Sequence, residues 1–366
     1  MDFVLDDMRL ELAKVARDFF TDKSPLTAVR RLEDDPAGYD PGVWRTMATL
    51  GWTGLGHTEE SGGSGGGVLD LAVLYQEIGR SLCASPHLES AVVAGGVLAA
   101  AGGQDGLLRA VLGGETTVVP ALMEPGGEYG PAGIRLTGEL TGGGIRLTGT
   151  KVLVPYLDTA GWLLVAARTG DGVTLALVDP GATGLEVTRS ANIAGAPLFT
   201  VTFHHVAASG LVGAPSMGWD VLGPVLDRAA VLRSAQIVGA AERLLELSVA
   251  YARSREQFGK SIGAYQAVQY LCTDIAIAAE LASLATLRAA ALLDLGEPAA
   301  PAVAEAKARA SATARLAAER AHEVHAGFAF MMEADVQLFT RRLRHWELDL
   351  GDEDHHRERL ADALLG

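Results

Sequence analysis

The chain has 366 residues, of which 49% are hydrophobic and 20% charged, and its formal net charge is −15 at pH 7. A surface this acidic repels phosphate backbones and anionic lipids, so composition argues against nucleic-acid and membrane partners. The small share of charged residues indicates that other protein covers part of the surface, as in an oligomer.

Residues 1–115 are predicted to form a helical domain. The run VLDDMRLELAKVARDFF places apolar side chains at helical spacing, namely Val4, Met8, Leu12, Val15 and Phe19. The runs VLDLAVLYQEIGRSL and ESAVVAGGVLAAAG are also of helical type, with the glycine-rich loop ESGGSGGG before them. The acidic amphipathic start is unlike a signal peptide, and no apolar run has the length and purity of a membrane span. We therefore expect a cytoplasmic protein.

Residues 116–214 change to short β-rich runs separated by Gly, Asp and Pro. Such a pattern is typical of a meander or a barrel and not of a βαβ unit. The hexapeptide GIRLTG occurs twice, at 133–138 and 144–149. Two copies beside a turn predict a β-hairpin.

Residues 215–366 return to helical patterns, with long Ala/Leu-rich runs at 224–258, 264–296 and 300–327 and two shorter runs after them. Gly296 and Gly327 are placed where a helix of this kind would end. Helices this apolar bury more than one face, as in a bundle that packs on another subunit. The predicted fold is α+β and multi-domain, with an N-terminal helical domain, a middle β-barrel-like domain and a C-terminal four-helix bundle.

The segment YARSREQFGKSIGAYQAVQY, residues 251–270, resembles the acyl-CoA dehydrogenase family of flavoenzymes. The matching residues, in order, are Arg255, Gln257, Phe258, Gly259, Ile262, Tyr265 and Gln266. EPGG at 124–127, GTKVLV at 149–154 and the stretch from Gly327 to Gly351 follow the family pattern as well. The resemblance covers the whole chain and implies the three-domain acyl-CoA dehydrogenase fold.

The resemblance implies FAD as the cofactor, an acyl-CoA thioester as the substrate and an electron-transfer protein as the acceptor. In the family the 251–270 segment reaches the FAD of a neighbouring subunit, and an arginine fork suits its pyrophosphate. The cofactor-binding residues implied for this chain are Arg255, Gln257, Phe258, Ile262, Tyr265, Gln266 and Gly327. No metal site is expected, since Cys83 and Cys272 stand far apart.

The chain departs from the family at the catalytic base. In most members a Glu precedes the glycine that matches Gly351, and some members carry it early in the first bundle helix. These two positions hold Leu350 and Ala229 here. Asp349 and Asp227 are close in sequence, but their side chains should point elsewhere, and they are weak candidates for the base. Residues 352–354 are expected to begin the last helix, with the two histidines after them exposed.

The segments that hold the flavin ring in the family have also changed. Met123 stands where Thr is usual, and the Trp-x-Thr of the family becomes Leu153 and Pro155, of which Pro155 has no N–H to donate. Glu323 stands where Gln is usual, and a carboxylate is unfavourable beside phosphates. The sequence thus predicts that one half of a flavin site is kept and the other half is lost.

A dimer that shares its flavins between subunits reconciles these two halves. Some actinobacterial members, notably in sterol side-chain breakdown, are heteromers of two related subunits with one FAD site per pair. We therefore predict the subunit that lacks the base in a heterotetrameric acyl-CoA dehydrogenase, whose related partner carries the base. Three alternatives stay open: a self-sufficient dehydrogenase with a displaced base, a flavin-dependent monooxygenase, and a non-catalytic interaction subunit.

Overall fold

A computed structural model describes residues 5–142 and 144–365. Its helices α1 to α11 are Asp7–Lys23, Leu26–Glu33, Pro41–Thr49, Val68–Ser81, Gly95–Ala101, Asp105–Leu112, Gly218–Ser254, Gln266–Asp294, Ala300–His325, Val336–Trp346 and Glu353–Leu365. A π-helix, His87–Ala94, precedes α5.

The strands β1 to β10 are Val118–Ala121, Thr137–Thr141, Gly144–Pro155, Trp162–Thr169, Gly172–Val178, Leu185–Ser190, Leu198–Ala207, Gly210–Val212, Glu256–Gln257 and Lys260–Ser261. Helices, then a sheet, then helices follow one another along the chain. This order of elements is the one predicted for the fold, with an N-terminal helical domain, a middle β domain and a C-terminal helical bundle. The predicted boundaries after residues 115 and 214 stay predictions.

The described residues form two compact units. The bundle unit contains residues 5–31, 68–83 and 230–365, and the sheet unit contains residues 32–67 and 84–229. Helix α7 therefore contributes residues to both units. Each unit has a buried apolar core of its own.

The sheet unit is built on eight strands in the order β6-β7-β3-β2-β4-β5-β8, with β1 paired to β4. Neighbours are antiparallel except that β1 and β2 both run parallel to β4. Strands β4 and β5 are buried almost throughout, as their Val/Leu/Ala composition requires. The two GIRLTG copies lie on β2 and β3 and in the segment before β2, and these strands pair antiparallel, so the predicted hairpin is confirmed.

The bundle unit packs α9 against α8, α10 and α11, and α4 against α1 and α8. Two glycines mark a close crossing of α4 and α7. A Cβ atom on Gly79 would lie 1.9 Å from the carbonyl oxygen of Gln236, and one on Gly239 would lie 1.9 Å from that of Gln76. Because there is no room for a methyl group at either position, the two backbones meet directly.

Helix α8 is long and apolar enough, by length and composition alone, to cross a membrane, and 33% of its most apolar window is buried. The sequence-based statement that no run qualifies was therefore wrong. Helix α8 is apolar on two faces, since one face packs on α9 and another exposes Tyr270, Ile277, Leu281 and Leu284. A core helix of a bundle passes the same test.

Two local expectations are corrected. In α1 the core-facing residues are Ala16 and Phe20, whereas Met8 and Val15 of the predicted stripe are exposed, and Val4 lies outside the described residues. Helix α9 ends at His325, and its cap residue Ala326, the first residue of the 3-10 helix Ala326–Phe330, has the positive φ of +51° that was expected at Gly327. The chain thus leaves the helix one residue before the glycine that was expected to end it.

Candidate flavin-contacting and acid–base sites

The residues of the motif at 255–262 form a short hairpin. Strands β9 and β10 pair Gln257 with Lys260 and Glu256 with Ser261. The two residues between them, Phe258 and Gly259, have φ values of +54° and +81°. Two successive residues with positive φ make a type I′ turn. Glycine adopts this conformation without steric cost, whereas phenylalanine is strained in it. The ring of Phe258 is 92% exposed, so the turn holds an apolar side chain out from the chain.

Several contacts fix this hairpin to the bundle unit. The Tyr265 hydroxyl donates to the Gln257 carbonyl at 3.2 Å, and the ammonium of Lys260 lies 4.2 Å from the centre of the Tyr265 ring. The Ile262 N–H donates to the Arg255 carbonyl at 2.8 Å. Because both ends are tied, the exposed ring at the tip is presented in a fixed direction.

The side chain of Arg255 is exposed, and no carboxylate or carbonyl among residues 5–142 and 144–365 pairs with its guanidinium. Gln257 donates to the carbonyl of Glu256 at 2.7 Å, and Gln266 donates to the Tyr270 hydroxyl at 2.5 Å. The structure therefore brings together Arg255, Gln257, Phe258 and, at the base of the hairpin, Ile262, Tyr265 and Gln266. Gly327 lies on a separate segment, directly after α9.

An aromatic stack joins the end of α7 to that segment, and sequence reasoning did not find it. The ring of Tyr251 lies 4.4 Å from that of His325 and 5.9 Å from that of Phe328, with interplanar angles of 25° and 2°. Burial lowers the pKa of His325, so its imidazole is neutral at pH 7. In the sequence, only the i, i+4 spacing of Tyr251 and Arg255 indicated that Tyr251 lies beside the motif at 255–262, and nothing indicated its contact with His325 and Phe328.

Ala326, between His325 and Gly327, is strained. Its φ of +51° and ψ of −140° lie in a region that only glycine occupies readily. Replacing Ala326 with glycine is therefore expected to raise the free energy of unfolding by about 1 kcal/mol, the relieved strain less the added entropy of the unfolded chain. Urea unfolding measures this. Ala329→Gly is the control, because Ala329 is buried and unstrained and its replacement should destabilise. A destabilised Ala326→Gly protein would contradict the strain.

The turn after α10, residues 347–351, is held from within the bundle unit by Lys307. The ammonium of Lys307 is fully buried and donates to the Glu347 carbonyl at 3.1 Å, the Gly351 carbonyl at 2.7 Å and the Ser311 hydroxyl at 2.8 Å. Burial lowers its pKa to about 7, against the opposing charge of Asp349. All three protons of the ammonium have acceptors, which is what a buried lysine requires.

Leu350 is presented by this turn with φ +59°, where a leucine costs about 1–2 kcal/mol. The buried ring of His356 donates from Nε2 to the Leu350 carbonyl at 2.9 Å. Burial lowers the pKa of His356 to about 3, so the ring is neutral. The expectation that both histidines of the last helix are exposed was wrong for His356, because its ring fills the space beside Gly351. The last helix begins at Glu353, and Asp352 caps it by accepting the His355 N–H at 2.8 Å.

Asp349, a weak candidate for the base, is paired with Arg233. The guanidinium of Arg233 approaches one carboxylate oxygen of Asp349 at 2.9 Å and 2.7 Å and lies 5.6 Å from the ring of Trp346. Burial works against ionisation of Asp349, but the charge of Arg233 outweighs it and the pKa of Asp349 is lowered. A carboxylate held in this way is a weak base.

The second base position, Ala229, is fully buried in α7. Asp227 is half-buried and belongs to the same helix, two residues before it. Residues two apart on a helix do not share a face, so Asp227 does not replace a carboxylate at 229.

In the sheet unit, a buried ion pair fixes the loop that begins with EPGG. The ammonium of Lys151 on β3 donates to Glu124 at 2.6 Å and to the Leu122 carbonyl at 3.0 Å. Glu124 in turn accepts the N–H groups of Arg135 and Leu136 at 3.0 Å and 2.9 Å. Burial lowers the pKa of Lys151 to about 8.

Leu153 and Pro155 of β3, and Met123 after β1, are the positions at which the sequence predicts that flavin-ring contacts are lost. Leu153 has φ +55° and is half exposed, Pro155 has no N–H, and the carbonyl of Met123 accepts the Val152 N–H at 2.9 Å. The residues at hand thus fit the phosphate-bearing part of FAD at the hairpin, through an unpaired Arg255, and do not fit the ring at β3.

The helix–sheet–helix order is that of a family of flavin-dependent oxidoreductases. Residues 6–105 match the model of the acyl-CoA dehydrogenase N-terminal domain, and residues 216–365 match that of its C-terminal domain. Cyclohex-1-ene-1-carbonyl-CoA dehydrogenase of Geobacter metallireducens is 30% identical over 92% of this chain and 93% of its own. The chain belongs to the acyl-CoA dehydrogenase family.

Two solved structures are similar over nearly the whole chain. A chain of the ChsE4–ChsE5 complex from Mycobacterium tuberculosis has a TM-score of 0.90 and 29% identity, covering 100% of this chain and 99% of that one. A variant of the Tcur3481–Tcur3483 steroid ACAD has a TM-score of 0.88 and 29% identity, covering 98% of each chain. The family recognised from the sequence, its oxidoreductase class and FAD as the family's cofactor are confirmed.

Proposed function

We propose that this chain is the subunit of a heteromeric acyl-CoA dehydrogenase that lacks the catalytic carboxylate and lends FAD contacts to a related subunit. The observation that carries the proposal is that Leu350 and Ala229 occupy both base positions. The only carboxylate beside Leu350 in the turn that the structure describes, Asp349, has a lowered pKa because Arg233 is paired with it. Removal of an α-proton needs a base within reach, so the partner must supply it.

The hairpin supports the second half of the proposal. Arg255 has no partner within the described chain, and the turn strains Phe258 to hold its ring in solvent. Strain of this kind persists where it serves contacts outside the element. Bound FAD would supply the acceptor for the hydride of the acyl group's β-carbon. This chain's part is to neutralise the pyrophosphate with Arg255 and to cover the cofactor with Gln257 and Phe258.

Two of the similar solved structures support the finer parts of the proposal. Two similar solved structures are of ChsE4–ChsE5, a complex, and Tcur3481–Tcur3483, a steroid ACAD. We accordingly assign this chain to a cytoplasmic heterotetramer that acts on a steroid-derived acyl-CoA thioester and passes electrons to an electron-transfer protein. Gln266 and Gly327 belong to the predicted cofactor surface together with Ile262 and Tyr265.

The test is to purify the chain alone and together with a related subunit encoded beside it. We expect the single chain to be colourless and inactive, and the pair to be yellow and to dehydrogenate acyl-CoA. In the pair, Arg255→Ala should weaken FAD binding about tenfold or more, because charge-assisted hydrogen bonds to phosphate are lost. Flavin fluorescence during dilution measures the release of FAD.

Arg253→Ala is the matched control, since Arg253 is an exposed arginine of the same helix end that lies outside the hairpin. It should release FAD at the wild-type rate. A single chain that is yellow and active would contradict the proposal. Equal rates of FAD release by the Arg255→Ala and Arg253→Ala variants would show that the hairpin does not contact FAD.

A further inference from the structure

Lys307 of α9 holds both ends of the turn 347–351. Its ammonium nitrogen lies 3.1 Å from the carbonyl oxygen of Glu347 and 2.7 Å from that of Gly351. Glu347 is the C-cap residue of α10, at the end of a helix where carbonyl groups lack partners within the helix. A positive charge is favourable there. The lysine therefore caps α10 and fixes the following turn from inside the bundle unit.

Ser311, one helical turn after Lys307, contacts both the lysine and the turn. Its hydroxyl oxygen accepts a hydrogen bond from the Lys307 ammonium at 2.8 Å, and its own hydrogen is donated to the Glu347 carbonyl at 2.8 Å. Lys307 is fully buried and Ser311 is 2% exposed. The Glu347 carbonyl thus accepts one hydrogen bond from each of these two side chains, while the Gly351 carbonyl accepts from Lys307.

The same three oxygen atoms also satisfy the uncharged form of Lys307. An ammonium has three donors and no acceptor, whereas a neutral amine has two N–H donors and one lone pair. When the proton leaves, the amine keeps its bonds to the Glu347 and Gly351 carbonyls, and the Ser311 hydroxyl turns to donate to the lone pair. The Glu347 carbonyl then loses the bond from Ser311. The cap of α10 is therefore stronger with the proton than without it.

The charged groups around Lys307 belong to the turn and to the helices packed on it. They are Asp349 and Glu347 of the turn, Asp352 before α11 and Arg233 of α7. Arg233 pairs with Asp349 at 2.7 Å, and Arg344 pairs with the Glu347 carboxyl at 2.9 Å. Burial raises the pKa of Glu347. Burial also lowers the pKa of Lys307 to about 7, against the charge of Asp349, so both forms of the lysine are present near neutral pH.

Three histidines also lie around the turn, and burial lowers the pKa of each from 6.5. They are His345 of α10 and His355 and His356 of α11. The pKa of His356 is about 3, so its hydrogen bond to the Leu350 carbonyl at 2.9 Å does not change near neutral pH. Above pH 6.5 these rings are mainly neutral and do not alter the turn.

We propose that Lys307 and Ser311 form a proton-dependent latch on the turn that carries Leu350. With the proton bound, both side chains hold the Glu347 carbonyl and the turn is fixed at its two ends. Without the proton, Ser311 releases that carbonyl, the cap of α10 weakens, and Leu350, three residues farther on, moves more freely. The latch lies within this chain, so it holds or fails independently of the proposed function.

The experiment is fluorine NMR of the full chain labelled with fluorotryptophan, titrated from pH 6 to pH 9. The reporter is Trp346, the residue before Glu347, and its resonance is the one missing in Trp346→Phe. The resonance should shift with a midpoint near pH 7, where Lys307 titrates. Lys307→Met should abolish the shift. Ser311→Ala should remove most of it although the lysine still titrates, because the Glu347 carbonyl then keeps the same bond in both forms.

Two variants are controls that should keep the shift. Glu347→Gln removes a carboxyl whose pKa is raised and retains the backbone carbonyl that Lys307 contacts. Lys151→Met together with Glu124→Gln removes a second fully buried lysine, which lies in the sheet unit. Carbon NMR of the lysine Cε atoms in this double variant follows Lys307 directly, so the test remains decisive if Lys307→Met does not fold. A Lys307 that does not titrate between pH 6 and pH 9 overturns the latch, as does an undiminished shift in Lys307→Met or Ser311→Ala.

Discussion

Replacing Glu124 with alanine is expected to lower the free energy of unfolding of the sheet unit by about 3–5 kcal/mol, the usual cost of leaving one partner of a buried ion pair alone. The ammonium of Lys151 is fully buried and would keep only the Leu122 carbonyl. The N–H groups of Arg135 and Leu136 would lose their acceptor as well. Urea unfolding followed by circular dichroism at pH 7 measures the loss.

The loss has two causes, the unpaired charge of Lys151 and the N–H groups left without an acceptor. Only the first of them depends on pH, so measurements at several pH values distinguish the two. The pKa of Lys151 is lowered from 10.5 to about 8, so below pH 8 the ammonium is charged in the folded and unfolded chains alike. Between pH 8 and 10.5 the unfolded chain binds more protons, and this group makes stability rise with pH. Removing Glu124 lowers the pKa further, so the penalty of Glu124→Ala should shrink as pH rises towards 8, the pKa of Lys151 in the intact pair, and stay constant above it.

Two variants serve as controls for the pair. Lys151→Met together with Glu124→Gln removes both charges and keeps an acceptor for the two N–H groups, and most of the stability should return. Lys151→Met alone should abolish the rise in stability between pH 8 and 10.5. A Glu124→Ala penalty that is equal at pH 6 and pH 9.5 would show that the buried charge of Lys151 does not carry it.

The sequence sufficed to predict features that depend on local pattern. Helices α7 to α11 followed from runs of apolar residues, and the β2–β3 hairpin followed from a repeated hexapeptide beside a turn. The empty base positions followed from reading Leu350 and Ala229 against a family motif. In each case the residues that decide the structure are close together in the chain.

Features that join distant segments could not be predicted in this way. Lys307 sits in an Ala-rich run where a lysine usually marks a solvated face, and only its approach to the carbonyl groups of Glu347 and Gly351 explains its burial. His356 likewise stands in a pattern that usually marks a solvated helix start, and only its hydrogen bond to the Leu350 carbonyl explains its burial. The Tyr251–His325 stack joins residues more than seventy positions apart, and adjacent Ala326 and Gly327 gave no sign that alanine would take the strained conformation.

Replacing Gly239 with alanine is expected to cost about 3 kcal/mol or more, because the new methyl group would lie 1.9 Å from the carbonyl oxygen of Gln76. That oxygen belongs to the backbone of α4 and cannot move without the helix. Helices α4 and α7 would have to separate and loosen the packing of the buried residues around Gly239. Gly106→Ala is the control, since a Cβ on this helical glycine meets nothing within 4 Å and should stabilise α6.

The reciprocal substitution makes the test specific to this crossing. Gly79→Ala meets the carbonyl of Gln236 at 1.9 Å and should cost about as much as Gly239→Ala. If both act by forcing the same two helices apart, the first substitution already opens the space that the second one needs. The double variant should then lose clearly less than the sum of the single losses, as coupled neighbours do. Additive losses would mean that each methyl group is accommodated locally and that the helices do not separate as rigid bodies.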